Sequence, residues 1–424
     1  MSIDALEREF FTSGIDNIDH SEFVLVGPNQ TLAASGVIGQ VDARDGEPLR
    51  VVAERTGDLL AGASRAVSAR EHARGAPLLI GAVPFGDSAP ARLVAVRDVR
   101  RVPTAPREQV AAPPLRADVR RVDLVPWPAR YLDSVRRALA EMDAGRLDKV
   151  VLARAIDLIA DEPVRTSEIV HSLAAGDPDS YVFATRLGAR TPDGGGDRVL
   201  VGASPELVIR KFGRSVVSNP LAGSAARSAD PDEDRRRARE LSTSEKDLRE
   251  HRIVVDAIAD ALRPFCSALT VSRRPSVIAT PTMWHLSSQV RGVLTTPVPN
   301  ALQLAAALHP TPAVCGWPTA EAHRFITRSE GFNRRYYGGL IGWMNPEGDG
   351  EWVLALRCAE IADNRLRLYA GAGVVPGSDP SAELAETSAK FQRFMSALGL
   401  DHALVEQAAQ GAVAAASGAS GARP

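Results

Sequence analysis

Four carboxylates occur in the sequence as two pairs with the same spacing, Asp247 with Glu250 and Glu383 with Glu386. Side chains three residues apart lie on one face of an α-helix, so each pair can present two carboxylates to one ligand. Two such helices can hold one divalent cation, and an oxygen-only set without histidine or cysteine favours Mg²⁺ over Zn²⁺. Taken alone, each pair is better explained as a solvated helix face or as acidic residues placed near a helix start.

Lys149 is unusual because it lies in the run LDKVVLARAIDL, which otherwise has the pattern of a buried strand. Such a lysine is either an exposed charge on an edge strand, the commoner case, or an amine held in a dry cavity. Glu206 precedes an apolar run, so we expect it at the mouth of a strand, where partial burial favours the protonated carboxyl and allows it to act as an acid. An ordinary turn glutamate is the equal alternative.

A third group of candidate residues, His285, Tyr337 and Arg357, lies among apolar residues and glycines. Each can be a satisfied core group, but an arginine in an apolar β-like run requires an anionic partner, and a carboxylate substrate would serve. In PLAGS, Gly223 and Ser224 predict a tight turn with free N–H groups. The segment AGAGVV predicts a glycine-rich turn that lets an anion approach the backbone closely.

The elements that must position these residues follow from the hydrophobic pattern. The segment GSDPSAELAETSAKFQRFMSAL predicts a helix with Asp379 as N-cap and Pro380 as its first residue. Its predicted packing stripe is Leu384, Ser388, Phe391, Met395 and Leu398. A second helix is predicted after Ser244. Ser244 and Asp247, three residues later, have the spacing of a capping box. Strands in hairpin-like order predict large antiparallel or mixed sheets with helices outside.

The composition indicates a large globular protein, with 424 residues, 45% hydrophobic residues and a formal net charge of −2. This charge favours neither nucleic acid nor a membrane surface as partner. Three cysteines without metal or disulfide spacing, and an N-terminus unlike a signal peptide, predict a cytoplasmic protein. We divide the chain into residues 1–115, an N-terminal part of the fold, residues 116–398, and residues 399–424, an Ala/Gly/Ser-rich disordered tail. The Pro-rich stretch 102–121 predicts an extended linker or surface crossing.

The order of the motifs resembles the chorismate-utilising enzymes, a family of isochorismate, salicylate, anthranilate and aminodeoxychorismate synthases. The segments are KVVLAR, GASPEL, PLAGS, EKDLREH, HLSSQVRG, HPTPAVCG, YYGGLIGW, LALR and YAGAGVVPGSDPSAELAETSAK. They are collinear from about residue 125 to 398, whereas residues 1–124 match only in general style. The resemblance implies the family's α+β fold, two large, mainly antiparallel sheets packed face to face with helices around them. It also makes residues 116–398 the chorismate-binding catalytic domain.

The resemblance further implies a role for each candidate residue. Lys149 matches the general base of members that add water to carbon 2 of chorismate, and Glu206 matches the acid that protonates the leaving 4-hydroxyl. The Mg²⁺ site is matched by Glu250 and Glu386 as direct ligands and by Asp247 and Glu383 through bound water. The substrate site is matched by Gly223, Ser224, His285, Ala313, Tyr337, Arg357, Gly371, Ala372, Gly373 and Lys390.

Within the family, the residues predict an isochorismate synthase, a magnesium-dependent isomerase. Ammonia-using members lack a lysine at position 149, and salicylate synthases tend to carry threonine where this chain has Ala313. Salicylate synthase, with the same first step followed by pyruvate elimination, is the alternative. A non-catalytic chorismate-binding scaffold is disfavoured because base, acid and four carboxylates occur together. Arg335 departs from the family pattern, since many relatives have glycine there.

The resemblance also bears on partners and on the fate of the product. We expect chorismate and isochorismate as ligands, no glutaminase subunit, no nucleic acid, no membrane, and a monomer. The product would feed siderophore, menaquinone or related secondary metabolite synthesis, and the sequence leaves these open.

Overall fold

The computed structural model describes residues 18–44, 47–66, 76–86, 89–104, 117–188 and 197–400. The strands in the N-terminal half are β1 (Phe23–Val26), β2 (Gln30–Asp42), β3 (Leu78–Val83), β4 (Arg92–Pro103), β5 (Val119–Val125), β6 (Lys149–Ala160), β7 (Tyr181–Arg186), β8 (Val199–Ser204) and β9 (Leu207–Phe212). The strands that follow are β10 (Ser215–Asn219), β11 (Leu221–Ala226), β12 (Cys266–Val271), β13 (Ser276–Ala279), β14 (Met283–Ser287), β15 (Val290–Leu294), β16 (Gly316–Trp317), β17 (Leu340–Met344), β18 (Gly350–Leu354), β19 (Cys358–Ala362) and β20 (Arg365–Val374).

The helices lie between these strands in chain order. They are α1 (Leu49–Ala66), α2 (Pro128–Asp143), α3 (Thr166–Gly176), α4 (Pro231–Thr243), α5 (Glu245–Leu262), α6 (Ala301–Leu308), α7 (Thr319–Ser329) and α8 (Pro380–Ala397), with short 3₁₀ turns at Ile18–His20 and Arg263–Phe265. Within the described ranges, no helix is long and apolar enough to cross a membrane.

Seventeen of the described strands hydrogen bond in one antiparallel series. Its order is β12-β15-β10-β9-β18-β17-β3-β4-β2-β1-β7-β8-β19-β20-β6, and both β5 and β16 pair with the remaining edge of β6. The strands β11, β14 and β13 form a separate sheet. Phe183 and Leu200 from one half of the series share a core with Ile209 and Trp352 from the other, so the halves face each other. The predicted α+β fold is confirmed.

The N-terminal strands lie in the middle of this series. Strand β1 pairs with β2 and β7, and β3 pairs with β4 and β17. Strands β1 to β4 are therefore continuous with the sheet formed by the later strands. The ends of the expected linker 102–121 are strand residues in β4 and β5, because they pair with β2 and β6. Residues 105–116 of that linker, and residues 401–424 of the predicted tail, lie outside the described residues.

The two predicted helices are confirmed. The Asp379 side chain accepts from the backbone N–H of Ala382 at 2.8 Å, and the Ser244 hydroxyl accepts from the N–H of Asp247 at 3.3 Å. The packing stripe of α8 was partly wrong. Glu383 and Thr387 are buried at the positions expected for Leu384 and Ser388, because this end of the helix faces polar groups.

Both predicted glycine-rich turns were wrong, since the segments form strands. Gly223 and Ser224 lie in β11, which pairs with β14 with a shift in register, and Gly223 has φ +77°. Gly371 and Gly373 lie in β20, paired with β6. Glycine is required there by close packing: a Cβ atom on Gly371 would lie 2.7 Å from the Tyr337 hydroxyl, and one on Gly373 would overlap a carboxylate oxygen of Glu250.

Candidate active site

A cavity between β6, β11, β20 and the helices α5 and α8 brings together most of the predicted site residues. It has a volume of about 510 Å³ including its mouth. The predicted residues that line it are Glu206, Gly223, Ser224, Glu250, His285, Ala313, Tyr337, Arg357, Gly371, Gly373, Glu386 and Lys390. Segments from nine parts of the chain therefore converge on one space, as the motif order implied.

Four predicted residues do not line this cavity but lie behind its wall or face away. The side chain of Lys149 ends 3.0 Å from the cavity-lining Glu250. Asp247 packs against Gly223 from α5, and Glu383 lies one helical turn before Glu386 and Thr387 on α8. Ala372 pairs with Leu152 of β6, and side-chain alternation turns it away from its cavity-lining neighbours.

Lys149 is fully buried, with 0% of its surface exposed. Strand β6 is not an edge at this point, since Lys149 pairs with Trp317 of β16 and the next residue pairs with Val374 of β20. The exposed-edge interpretation is therefore wrong. Its Nζ lies 3.0 Å from Oε1 of Glu250 but satisfies hydrogen-bond geometry with no acceptor in the described structure. The amine is thus buried, and its N–H donors remain available for a hydrogen bond.

Glu206 lies in the link between β8 and β9 and is 4% exposed. Burial raises the pKa of Glu206 to about 8, against the opposing influence of a backbone hydrogen bond from Leu221 and the charges of Lys149 and Arg357. The carboxyl is therefore largely protonated at neutral pH, as an acid catalyst requires. An ordinary turn glutamate would be solvated, whereas Glu206 is buried.

Arg357 gives the cavity a cationic wall, and the neutral His285 lies beside it. The Arg357 guanidinium donates to Nε2 of His285 at 3.1 Å, and burial, followed by the charges of Arg357 and Lys390, lowers the pKa of His285 well below its usual value. The imidazole is therefore neutral and accepts. Within the described residues, no carboxylate lies within ion-pair distance of Arg357. Its charge can therefore be matched by an anionic ligand in the cavity.

We use "carboxylate cluster" for Asp247, Glu250, Glu383 and Glu386. Three of its members each contact a different lysine: Glu250 with Lys149 at 3.0 Å, Glu383 with Lys246 at 2.7 Å, and Glu386 with Lys390 at 2.6 Å. Glu386 also accepts from the Ser224 hydroxyl at 2.9 Å, and Lys390 donates to the carbonyl of Gly371 at 3.0 Å.

The carboxylate cluster has the donor chemistry and the excess negative charge that suit a divalent cation. Burial and the neighbouring Glu386 raise the pKa of Glu383 to about 7, and burial, with smaller contributions from Glu250 and Glu386, raises that of Asp247. Oε2 of Glu383 is buried and accepts no hydrogen bond in the described structure. Four carboxylates without histidine or cysteine match a hard cation such as Mg²⁺.

The four carboxylates do not, however, surround a common point at which a metal ion could bind. In the described parts of the chain, no three histidine, cysteine or carboxylate side chains converge at ligand spacing. The lysine ammonium groups lie against the carboxylate oxygens instead. The residues fit a cation chemically, and binding one requires at least one of these ion pairs to open.

Sequence reasoning missed two groups beside the site, the Glu330–Arg334 pair and Lys246. Arg334 donates to the carbonyls of Val314 and Val151 at 2.7 Å each, and Glu330 accepts from the N–H of Ala153 at 2.7 Å. The pair therefore joins two cavity-lining segments. The only signal in the sequence is the i, i+4 spacing of opposite charges, which is common on exposed helices.

The departure at Arg335 does not alter the cavity wall. Arg335 has φ +50°, in the left-handed region that glycine adopts without strain. Its guanidinium pairs with Glu360 at 3.2 Å and does not line the cavity. The left-handed backbone conformation explains why many relatives have glycine at this position.

Comparison with known proteins gives concordant matches. Residues 91–399 match the family described as chorismate binding enzyme. The chain is 45% identical over 386 residues to isochorismate synthase DhbC of Bacillus subtilis, with 90% of this chain and 94% of that protein covered. It is 40% identical over 384 residues to the putative isochorismate synthase MenF of Mycobacterium tuberculosis, with 89% and 96% covered.

A solved structure matches over nearly the same range. The putative 2,3-dihydroxybenzoate-specific isochorismate synthase DhbC from Bacillus anthracis has a TM-score of 0.83 and 39% sequence identity, with 91% of this chain and all of that chain covered. The similarity therefore includes the N-terminal strands as well as the cavity.

Proposed function

The chain belongs to the family of chorismate-binding enzymes and is an isochorismate synthase, and we propose that it works with Lys149 as general base and Glu206 as general acid. The observation that carries these roles is the arrangement of a fully buried amine and a protonated carboxyl at one cavity with a cationic wall. Salicylate synthase is not favoured, because the relatives reported above are isochorismate synthases.

Substrate binding is assigned to the cationic wall. Chorismate carries two carboxylates, and Arg357 lacks a carboxylate partner in the described structure, so its guanidinium can bind one of them. Lys390 and the backbone of Gly371 and Gly373 line the same cavity. Glycine at these two positions lets the side chains of Tyr337 and Glu250, which also line the cavity, approach β20 closely.

The proton transfers follow from the two catalytic side chains. As the proposed general base, Lys149 accepts a proton from water as the water oxygen bonds to carbon 2, and both ring double bonds shift by one position. Glu206 donates its proton to the 4-hydroxyl, so that the bond from carbon 4 to oxygen breaks and water leaves. In the reverse direction the roles exchange, which a reversible isomerase requires. Each group is expected to contribute roughly 10²–10⁴-fold to the rate.

We assign Mg²⁺ binding to the carboxylate cluster, with Glu250 and Glu386 as direct ligands and Asp247 and Glu383 acting through bound water. When bound, the cation would neutralise a substrate carboxylate and fix the ring for attack. The support is the oxygen-only donor set and the unpartnered buried oxygen of Glu383.

We further propose that the chain acts in the cytoplasm as a monomer without a glutaminase subunit, in keeping with its three free cysteines.

Product analysis tests the activity and the metal together. Purified protein incubated with chorismate and Mg²⁺ should yield a mixture of chorismate and isochorismate on chromatography, with little pyruvate. Protein stripped with EDTA should be inactive and regain turnover when Mg²⁺ is added. Salicylate with equimolar pyruvate would make the chain a salicylate synthase, and undiminished turnover in EDTA would remove the metal from the proposal.

A further inference from the structure

Lysine is rare in this chain and concentrated at the active site. The 50 lysines and arginines include only four lysines, at positions 149, 211, 246 and 390. Three of them contact the carboxylate cluster, and the fourth, Lys211, pairs with Asp349 elsewhere. A lysine ammonium is a compact charge on a flexible stem, whereas an arginine guanidinium binds carboxylates through a rigid fork. Each of these lysines holds a carboxylate through a single compact charge.

The three lysines differ in how easily their ammonium groups can move away from the carboxylates. The Lys149 side chain is 1% exposed, and that of Lys390 is 11% exposed and also donates to a backbone carbonyl. The side chain of Lys246 is 31% exposed, and its hydrogen bond in the described structure goes to Glu383 at 2.7 Å. The Lys246 ammonium can therefore rotate into water, and the buried Glu383 carboxylate then requires another cation.

The partner of Lys246 is only half satisfied. Glu383 is 1% exposed, its Oε1 is held by Lys246, and its Oε2 is buried without a hydrogen bond of normal geometry, although the Ser378 hydroxyl lies close enough to lower the Glu383 pKa. A buried carboxylate oxygen without a partner is costly. The Lys246 ammonium therefore satisfies only one of the two carboxylate oxygens of Glu383. A cation that coordinates several oxygens at once would satisfy both.

We propose that Lys246 is a resident counter-ion, which holds Glu383 while the site lacks a divalent cation and moves into solvent when Mg²⁺ binds. The proposal rests on the metal site of the proposed function. It explains why the carboxylates do not converge in the described structure, since an ammonium lies against each of three. Because binding requires one ion pair to open, the apparent Mg²⁺ affinity is reduced by the fraction of molecules in which the pair is closed.

Two substitutions of Lys246 are expected to change Mg²⁺ affinity in opposite directions. Lys246→Met removes the competing charge while keeping similar length, so Mg²⁺ should bind roughly two- to fivefold more tightly, as expected for loss of a partly exposed ion pair. Lys246→Arg places a bidentate guanidinium on Glu383, so Mg²⁺ should bind at least about threefold more weakly. The measurements are calorimetric Mg²⁺ titrations and the Mg²⁺-dependent rise in Tm, without and with a saturating chorismate–isochorismate mixture.

Lys211→Met is the matched control, since it removes a lysine ion pair far from the cluster and should leave Mg²⁺ affinity unchanged. Unchanged or weaker Mg²⁺ binding by Lys246→Met would overturn the counter-ion role, and so would tighter binding by Lys246→Arg. If the unaltered protein binds Mg²⁺ normally, such results leave the proposed function intact. If neither the unaltered protein nor any variant binds Mg²⁺, the metal is removed from the proposed function and this role with it.

Discussion

At the scale of single residues, the proposed chemistry depends on two side chains, Lys149 and Glu206, that the fold removes from water. Lys149 is completely buried in a strand paired on both edges, and Glu206 is protonated because it is buried between two strands. Both could be identified from the sequence by their position in motifs. The contact of Lys149 with Glu250 could not, because it joins residues about a hundred positions apart.

Replacing Lys149 tests its role as the base. Lys149→Ala should lower turnover at least roughly 10²-fold, because it removes the amine proposed to accept the proton. Lys149→Arg should fail as well, since a guanidinium keeps its proton. Lys211→Ala is the matched control: it also breaks a buried lysine pair and should reduce stability but retain turnover per folded molecule. Near wild-type turnover of folded Lys149→Ala would contradict the role.

Glu206 predicts the pH dependence of the forward reaction. Because burial raises its pKa to about 8, the carboxyl is protonated below that pH and can serve as the acid. Conversion of chorismate should therefore fall as the pH rises through about 8, approaching tenfold per pH unit above it. Glu206→Gln should be roughly 10²–10⁴-fold slower and lack this decline. Initial rates between pH 6 and 10 measure both, and an unaltered protein with a flat profile to pH 10 would speak against this acid.

At the scale of elements, helices could be predicted more reliably than strands near the site. The start of α8 follows from local signals, Asp379 as cap and Pro380 as first residue. The segments PLAGS and AGAGVV were predicted as turns because glycine favours turns locally. Their partners are β14 and β6, and Gly373 pairs with Val151 more than 200 residues away. Such pairing is set by the whole sheet and outweighs local preference.

The Glu330–Arg334 pair gives a prediction about how the cavity wall is held. Both side chains are nearly inaccessible, at 2% and 3% exposed, and their hydrogen bonds reach Val151, Ala153 and Val314. Glu330→Gln leaves the Arg334 charge buried without its partner, so the free energy of unfolding should fall by about 3–5 kcal/mol. Denaturant unfolding measures this loss.

An exposed pair on α4 is the matched control for this substitution. Glu233→Gln breaks contacts with Arg236 and Arg237, whose side chains are 55% and 36% exposed. Exposed pairs contribute little, so this change should lower the free energy of unfolding far less than Glu330→Gln does. Similar losses for Glu330→Gln and Glu233→Gln would mean that the buried pair does not hold the wall.

At the scale of the whole molecule, the catalytic region cannot be separated from the N-terminal strands. The family match begins at residue 91, and the motifs of the sequence begin later still. Yet β1 lies between β2 and β7, and β3 lies between β4 and β17. The sequence did not reveal this continuity, because residues 1–124 carry no specific motif and strand order depends on contacts distant in sequence.

A truncated chain that begins at residue 105 tests this dependence. It lacks β1 to β4, so the edges of β7 and β17 and the core around Phe183 and Ile341 become exposed. Exposed apolar strand edges pair with other chains, so we expect an insoluble product or one without a cooperative unfolding transition. The control is a chain that ends at residue 400, which retains every described helix and strand and should unfold in a single transition with full turnover. A soluble, cooperatively folded chain that begins at residue 105 would show instead that the catalytic sheets close without the strands between them.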